Sequence, residues 1–412
     1  MEQTILQKEK TLPVFQNCDV LVAGGGIAGV SAALAAARNG AKVILAEREY
    51  GLGGMATLGL IAIYLPLCDG MGNQVIGGIG EELLRLSIRH GAEDGYPYPA
   101  AWLNGGTREE RQERRFMVQF NPVLFALEVE RLLVQAGVHV LYGTLIADVI
   151  VEDGRITSAI VENKSGRGAI RANAFIDCTG DADLCQAAGA PTALFPNKNA
   201  LASWYYFTGQ EQKVKLSMFG LADVRPDRGE GGHENSNARE DSISSFRFSG
   251  VDGAELSEAV QQAHALMLAD IEKHRETDPM YRPVSMSSIP LVRMSRRLCG
   301  VKTLREADVH TRAADSIGMT GDWTKRGPVY EIPFGCLCAP GITNLLAAGR
   351  ILSTDDAVWN VTRVIPPCAV TGQAAGTAAA LCTDFTAVPM EMLQERLSRQ
   401  GVLLHERRDD TP

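Results

Sequence analysis

A glycine-rich turn set between a strand and a helix constrains this chain more than any other feature. Cys18 to Ala23 is a short apolar run that reads as a buried strand, and Gly24-Gly25-Gly26-Ile27-Ala28-Gly29 follows at once. Val30 to Asn39 is a small-residue helix, and Lys42 to Ala46 is a second strand that ends at Glu47. A βαβ unit of this kind uses its glycines for a tight turn, for close approach of a pyrophosphate and for packing helix on strand. The start of the helix offers unpaired N–H groups and the positive end of its dipole to phosphate. Glu47 stands where an acid accepts hydrogen bonds from a ribose diol. The segment predicts a bound dinucleotide.

With 412 residues, the chain has the mass of roughly two or three domains. A hydrophobic content of 45% and a charged content of 22% are those of an ordinary globular protein. The net charge of −9 argues against nucleic acid or an anionic membrane as the main partner. The first residues carry charge and no continuous apolar run, so no signal peptide is expected. The apolar stretch from Ala369 to Leu381 is broken by Gly372, Gln373 and Gly376, so no membrane insertion is expected either. Nine scattered cysteines fit a reducing compartment, and the expected location is the cytoplasm. Cys336 and Cys338 are the closest pair and read as two thiols on a strand; no metal site is predicted.

Past the βαβ unit, Tyr50 to Gly80 is glycine-rich, and 81–90 reads as helix. Gly91 to Arg115 reads as an excursion outside the core. Asn121-Pro122 is an N-cap followed by a first helical residue, opening a helix to about Ala136. Strand periodicity takes over at His139–Tyr142, Ala147–Val151 and Ile156–Glu162, with turns at Asp153-Gly154 and Ser165-Gly166. Phe175-Ile176-Asp177 is a further strand. Arg225 to Ser245 reads as a polar surface loop, and Ala254 to Glu276 as a helix. Nucleotide-type patterns return at Val329, and a small-residue helix runs from about Cys368 to Cys382. The expected division is a nucleotide domain in two parts, 1–192 and 330–412, with an inserted domain at 193–329.

Several ordered blocks carry a family resemblance: Gly24–Gly29 with Glu47, Gly53-Gly54-Met55-Ala56-Thr57, Thr179-Gly180-Asp181-Ala182-Asp183, Asn344–Arg350 and Arg363–Gly376. Together they resemble the FAD-dependent oxidoreductases of the glutathione-reductase flavoprotein superfamily, in the branch with heterodisulfide-reductase-like flavoproteins. A more distant similarity is to fumarate reductase flavoproteins. The resemblance implies an α/β fold: a Rossmann-like FAD-binding domain, with a central parallel sheet and a β-meander, and an inserted α+β substrate domain. FAD is the implied cofactor. Gly24, Gly26, Ile27, Ala28 and Gly29 would hold its pyrophosphate, and Glu47, with Arg48 beside it, the adenosine ribose. Gly54, Met55 and Ala56 would line the approach to the ribityl chain and flavin. Ile146 would lie beside the adenine, and Thr179 and Gly180 would close over the adenosine end. Arg350, after Gly349, stands where wider relatives often carry an acid for the ribityl hydroxyls, and its role is left open. The helix containing Gly372 and Ala374 would aim its N-terminus at the flavin N1 and C2 carbonyl. Two positions depart from the branch: Asp355-Asp356 replaces a usual histidine, and Asn360-Val361 a usual Gly-Ser, both expected to face the flavin.

The implied reaction is hydride transfer between a substrate carbon and flavin N5, with the protein supplying orientation and charge. Gly54 is not followed by a Cys-x-x-x-x-Cys run and the chain has no second glycine fingerprint, so neither a redox disulfide nor a dedicated NAD(P)H domain is expected. Arg293, in Arg293-Met294-Ser295-Arg296-Arg297, suits a carboxylate; the cluster equally suits ion pairs at a domain junction. Arg363 allows the same two readings. Asp356, with Asp355, is either a proton acceptor near the flavin or part of a capped turn. Trp359 is a lid or a packing residue. Trp204-Tyr205-Tyr206-Phe207 reads as a buried strand over the substrate side, with a hydroxyl of Tyr205 or Tyr206 as a further candidate. The expected partners are a small-molecule substrate and an unidentified electron donor or acceptor, and a homo-oligomer is compatible with the sequence. Two alternatives stay open: an electron-relay subunit of a larger complex, and a flavin-dependent reaction without net redox change.

Overall fold

Val14–Ala23 forms β1, and its last residues, Val20 to Ala23, are wholly buried. A strand apolar on both faces belongs in the middle of a covered parallel sheet. The computed structural model describes residues 5, 9–92, 96, 98–219 and 244–407. Most of the segment read as a polar loop, 225–243, lies outside the described residues.

Helix α1 (Ile27–Arg38) leads to β2 (Val43–Ala46). Helix α2 (Pro122–Gln135) starts as its sequence predicts, with the Asn121 side chain accepting from the backbone N–H groups of Val123 and Leu124. Strands β3 (His139–Leu141), β4 (Leu145–Glu152), β5 (Arg155–Asn163) and β6 (Gly166–Asp177) follow. They join one seven-stranded sheet in the order β3-β2-β1-β6-β5-β4. β3, β2, β1 and β6 run parallel, whereas β4, β5 and β6 form an antiparallel meander. The last part of β6 leaves the meander and pairs in parallel with a much later strand, Leu345–Ala347. The chain therefore returns to its first sheet after the intervening segment.

That segment contains β7 (Ser203–Thr208), β8 (Lys215–Phe219), the long helix α3 (Gly253–Thr277) and β9 (Arg282–Met286). The strands form a separate antiparallel sheet, β8-β7-β9. Alternation along β7 sends successive side chains to opposite faces. Tyr205 packs with Met267 and Ile271 of α3, while Trp204 and Tyr206 pack with Leu60 and Leu291. This is the inserted α+β unit. The hairpin of Ser316–Gly321 and Val329–Pro333 already belongs to the main core through Ile317, Met319 and Ile332. Its alternating apolar residues are buried against that core, so the first core regains the chain ahead of the expected residue 330.

Returning to the sheet, Leu345–Ala347 is β10; α4 (Asp356–Thr362) and α5 (Ile365–Leu381) complete the main layer. The α5 helix lies directly on α1. A Cβ at Gly372 would come within 2.2 Å of the Ala28 carbonyl oxygen, and one at Gly376 within 2.0 Å of that of Ala32. The two backbones can be this close only because neither position carries a side chain.

Trp102 and Phe116 stack with ring centroids 5.3 Å apart, and both lie in the main core. The stretch read as an excursion therefore supplies core residues.

Candidate functional site

The C-terminal ends of β1, β2, β6 and β10 meet at one edge of the parallel sheet. Short backbone bonds lace them together: Gly24 N–H to Ala46 O at 2.8 Å, Cys178 N–H to Ala23 O at 2.8 Å, and Ala348 N–H to Asp177 O at 2.9 Å. A cavity of about 1050 Å³ opens there, at the upper end of ligand-pocket sizes. Ligands of open α/β sheets bind at this edge.

The glycine turn forms one wall, with Gly24, Gly26, Ile27 and Ala28 lining the cavity. Gly24 has φ +95°, a conformation that L side chains rarely adopt. Gly26 is the N-cap of α1 and provides no side-chain cap, and the first turn holds no acid. The N–H groups of that turn have no intrahelical acceptor. A Cβ at Gly26 would meet nothing within 4 Å, so the turn faces open space. Neutral donors, a helix dipole and a Cβ-free approach suit a diphosphate. Glu47 closes the turn from β2: its Oε2 accepts from Gly25 N–H at 2.5 Å and its Oε1 from Glu49 N–H at 2.8 Å. Burial pushes this carboxyl above its usual value, against the two N–H bonds and Arg48. These features fit the diphosphate and ribose of FAD.

Beside the glycine turn, Thr179, Gly180, Asp181 and Asp183 line the cavity from the end of β6. Asp177, wholly buried beneath, accepts from the backbone and hydroxyl of Thr179 and from Cys185 N–H, which shapes the turn. Arg350 clasps it from outside: Nε donates to Gly180 O at 2.6 Å and Nη2 to Asp181 at 2.9 Å. Trp359 donates from Nε1 to Arg350 O at 2.6 Å and carries the Arg297 guanidinium 4.4 Å over its ring. Trp359 is thus a packing residue.

Gly54, Met55, Ala56, Glu47, Arg48, Gly349, Arg350, Arg293 and Arg363 also line the cavity. Others among the expected contacts lie elsewhere. Gly29 does not line it; a Cβ there would lie 1.8 Å from Gly24 O, so this glycine serves the packing of helix on turn. Gly372 packs on Ala28, and Ala374 is buried inside α5. The N-terminus of α5 is at Ile365, upstream of both, and there Val364 and Ile365 do line the cavity. Pro366 and Pro367 lack N–H groups, so this helix start offers its dipole with few donors. Ile146 sits in β4, paired with Val161, and is not a lining residue. Asp356 is also outside the lining: its carboxylate pairs with Arg297 at 2.7 Å and its side chain is 47% exposed. Asp355 caps α4 by accepting from Val358 N–H at 2.9 Å. Asn360 and Val361, expected to face the flavin, are not lining residues either. Tyr205 donates to Asp270 on the α3 side, away from the face that carries Trp204. Of the arginine cluster, Arg296 pairs with Asp183 and Arg297 with Asp356, so two members are junction ion pairs while Arg293 faces the cavity.

Sequence reasoning missed Tyr96, Arg115, Gln119, Trp323 and Asp183 as cavity residues. Asp183 had a signal, because it ends the Thr179–Asp183 block. The others had none, since their positions depend on contacts distant in sequence.

Fold and cavity together are those of an α/β dinucleotide-binding protein, with a cavity for the ligand at the sheet edge. The chain belongs to the FAD dependent oxidoreductase family, whose model matches residues 19–227 and 210–398. FAD is its cofactor. The 4-oxocyclohex-2-ene-1-carboxylate 5-dehydrogenase of Sinomonas cyclohexanicum is 38% identical over 98 residues, 23% of this chain and 15% of that enzyme. The tRNA uridine 5-carboxymethylaminomethyl modification enzyme MnmG of Streptococcus pyogenes serotype M4 is 30% identical over 146 residues, 35% of this chain and 21% of that enzyme. The chain thus matches under a quarter of the length of either curated relative. Among solved structures, p-nitrophenol 4-monooxygenase from Pseudomonas putida aligns over 96% of this chain and 91% of its own, at 11% identity and a TM-score of 0.49. Among the described residues, no helix is long and apolar enough to cross a membrane.

Proposed function

We propose that the enzyme transfers a hydride between FAD and a small, anionic organic substrate held in the same cavity. One observation carries this reading. Acids line the cavity only at the strand ends, as Glu47, Glu49, Asp181 and Asp183, whereas Arg115, Arg293 and Arg363 line it elsewhere, among the described residues. The cofactor, when bound, supplies the two-electron chemistry.

The chain's own residues do the rest. The first turn of α1, with Gly24 and Gly26, would hold the diphosphate, and Glu47 with Arg48 the adenosine ribose. Thr179, Gly180, Gly54, Met55 and Ala56 would line the remaining path, and Gly349 with Arg350 would flank it. The N-terminus of α5 at Ile365 directs a positive dipole into the cavity and favours added negative charge there. Arg363, held by Asn360 through bonds of 2.6 and 3.0 Å, has its guanidinium fixed before substrate arrives. Trp204 and Met218 line the cavity from the inserted unit, which supports a substrate site between that unit and the sheet edge over an open relay surface. The inserted unit of β7, β8, α3 and β9, within the segment expected at 193–329, would thus serve as the substrate-covering domain. By its name, the Sinomonas relative acts on a cyclic carboxylate, in keeping with a small acid. Nine free thiols suit the cytoplasm.

The test is anaerobic absorbance of the purified holoenzyme during addition of a library of small acids and neutral alcohols. Bleaching of the yellow colour by an acid supports the reading. Bleaching only by a reduced protein partner replaces it with an electron relay.

A further inference from the structure

Arg115 is only 7% exposed, yet it lines the cavity. Its Nη1 donates to two main-chain carbonyls, Asp322 O at 3.2 Å and Trp323 O at 2.8 Å. Its Nε is enclosed without an acceptor. No ion pair among the described residues includes it, although two acids are close enough to influence its charge. Both are turned away into their own loops. Asp322 accepts from Thr324 N–H at 2.8 Å and from its hydroxyl at 2.6 Å, and Asp69 accepts from Met71 N–H, Asn73 N–H and the Asn73 amide.

A buried cation without a carboxylate is costly, because neutral carbonyls recover only part of the lost hydration. Burial accordingly lowers the proton affinity of Arg115 below the usual arginine value, with Arg326 acting in the same direction. The carbonyl bonds fix the plane of the guanidinium, so little rotamer freedom remains to be lost when an anion arrives. Apolar side chains, including Ile63, Leu65, Pro66 and Met117, line the same cavity. Arg115 also belongs to the same wall as Arg363. Trp323, whose carbonyl holds Arg115, donates from Nε1 to Asn360 O at 3.0 Å, and the Asn360 side chain holds Arg363. The diphosphate seat on α1 has its own donors and does not require this residue.

We infer that Arg115 is the seat of the substrate's carboxylate, and that the substrate is a compact apolar body carrying that one anionic group. The inference rests on the reading of this cavity as the site of an oxidoreductase for an anionic substrate. It names the anchoring residue and the substrate class.

Calorimetric titration of the holoenzyme with benzoate and with neutral, isosteric benzamide tests the inference. Benzoate should bind the wild-type holoenzyme, and Arg115→Met should weaken it by about 30-fold or more, equivalent to about 2 kcal/mol. Benzamide affinity should be the same in both proteins. Arg115→Lys keeps the charge but loses the planar fork, and should fall between them. It also carries the test if the methionine variant fails to retain FAD. Absence of benzoate binding to the wild type at millimolar concentration overturns the inference, as does equal loss of benzoate and benzamide or an unchanged benzoate affinity. The underlying reading fails separately. Bleaching of the holoenzyme by a neutral compound, with no benzoate bound, leaves the oxidoreductase and removes the anion seat. Benzoate held by Arg115, with no compound able to bleach the flavin, does the reverse.

Discussion

Replacing Gly26 by alanine adds one methyl group at a place where the protein itself has nothing to meet. The backbone there has φ −66° and ψ −179°, which alanine adopts without strain, and a Cβ finds no atom within 4 Å. Two small terms act on the apoprotein. Reduced freedom of the unfolded chain favours alanine by about 0.4–1 kcal/mol. Position counts the other way, because glycine is preferred over alanine at an N-cap by up to about 1 kcal/mol. Their sum is near zero, so urea unfolding of the apoprotein should be nearly unchanged. Binding should respond differently. The methyl projects into the space from which a diphosphate reaches the N–H groups of Ile27 and Ala28. Each charge-assisted bond lost is worth about 1.5–3 kcal/mol, or roughly 10- to 150-fold in affinity. Quenching of FAD fluorescence on titration into apoprotein reads this directly. The holoenzyme should lose its cofactor-derived stabilisation by the same amount. Gly29→Ala is the contrasting variant, since its Cβ would lie 1.8 Å from Gly24 O. It should destabilise the apoprotein itself by about 1–3 kcal/mol. If Gly26→Ala binds FAD as tightly as wild type, the diphosphate does not sit on α1 and the assignment of the cavity is wrong.

Asp356→Asn breaks one half-exposed ion pair with Arg297 and should lower stability by less than about 1 kcal/mol with turnover unchanged; a large loss of turnover in a well-folded variant would restore Asp356 as a proton acceptor. Asp183 is pushed up to about 6 by burial and by the neighbouring Asp181 and Asp177, so it becomes neutral as pH falls through that value. FAD titrations should therefore show tighter binding at pH 5 than at pH 7, and Asp183→Asn should remove that part of the slope. In the apoprotein the folded value lies above the unfolded one of about 3.9. The stability that this group contributes is full below about pH 4 and is lost as pH rises through about 6, which unfolding curves of wild type and Asp183→Asn compare. Tyr205→Phe removes bonds of 2.6 Å to Asp270 and 2.7 Å to Tyr281 on the α3 side. It should lower stability by about 1 kcal/mol and leave the range of bleaching compounds unchanged; an altered range would place the hydroxyl in the substrate site.

What the sequence reveals depends on whether a feature's meaning is local. The β1-α1-β2 unit is legible because a glycine turn, a helical small-residue run and an apolar strand each declare themselves within a few residues. The Asn121 cap is legible for the same reason. The start of α5 is less so. The sequence predicts this helix from about Cys368, yet it starts at Ile365, and in its first turn the missing N–H groups of Pro366 and Pro367 would have had no partner anyway. Gly372 is visible as a glycine within a small-residue helix, but whether it faces a cofactor or another helix depends on where α1 lies. Arg115 was hidden more completely. It falls in a stretch whose prolines and glycines suggest an excursion outside the core, and the carbonyls that hold it belong to Asp322 and Trp323, far along the chain.

The arginines show why residue type alone misleads at a domain junction. Arg296, Arg297 and Arg350 each reach an acid, at 2.7, 2.7 and 2.9 Å, and tie later chain segments to the turn after β6 or to the start of α4. Their charges are answered within the protein, so an incoming anion gains little from them. Arg363 is oriented by Asn360, and Arg115 is held by neutral carbonyls, so the field of Arg115 is not answered by a paired acid among the described residues. At the glycine turn the arrangement is reversed. The expected anion there meets backbone dipoles, while the lining acids beside it face Arg48, Arg296 and Arg350. Had the diphosphate been bound by arginines, any phosphate-bearing metabolite would compete for the cavity as a whole. Under the proposed function, dipoles at one wall and oriented guanidinium groups at another would let the same cavity distinguish its cofactor from its substrate.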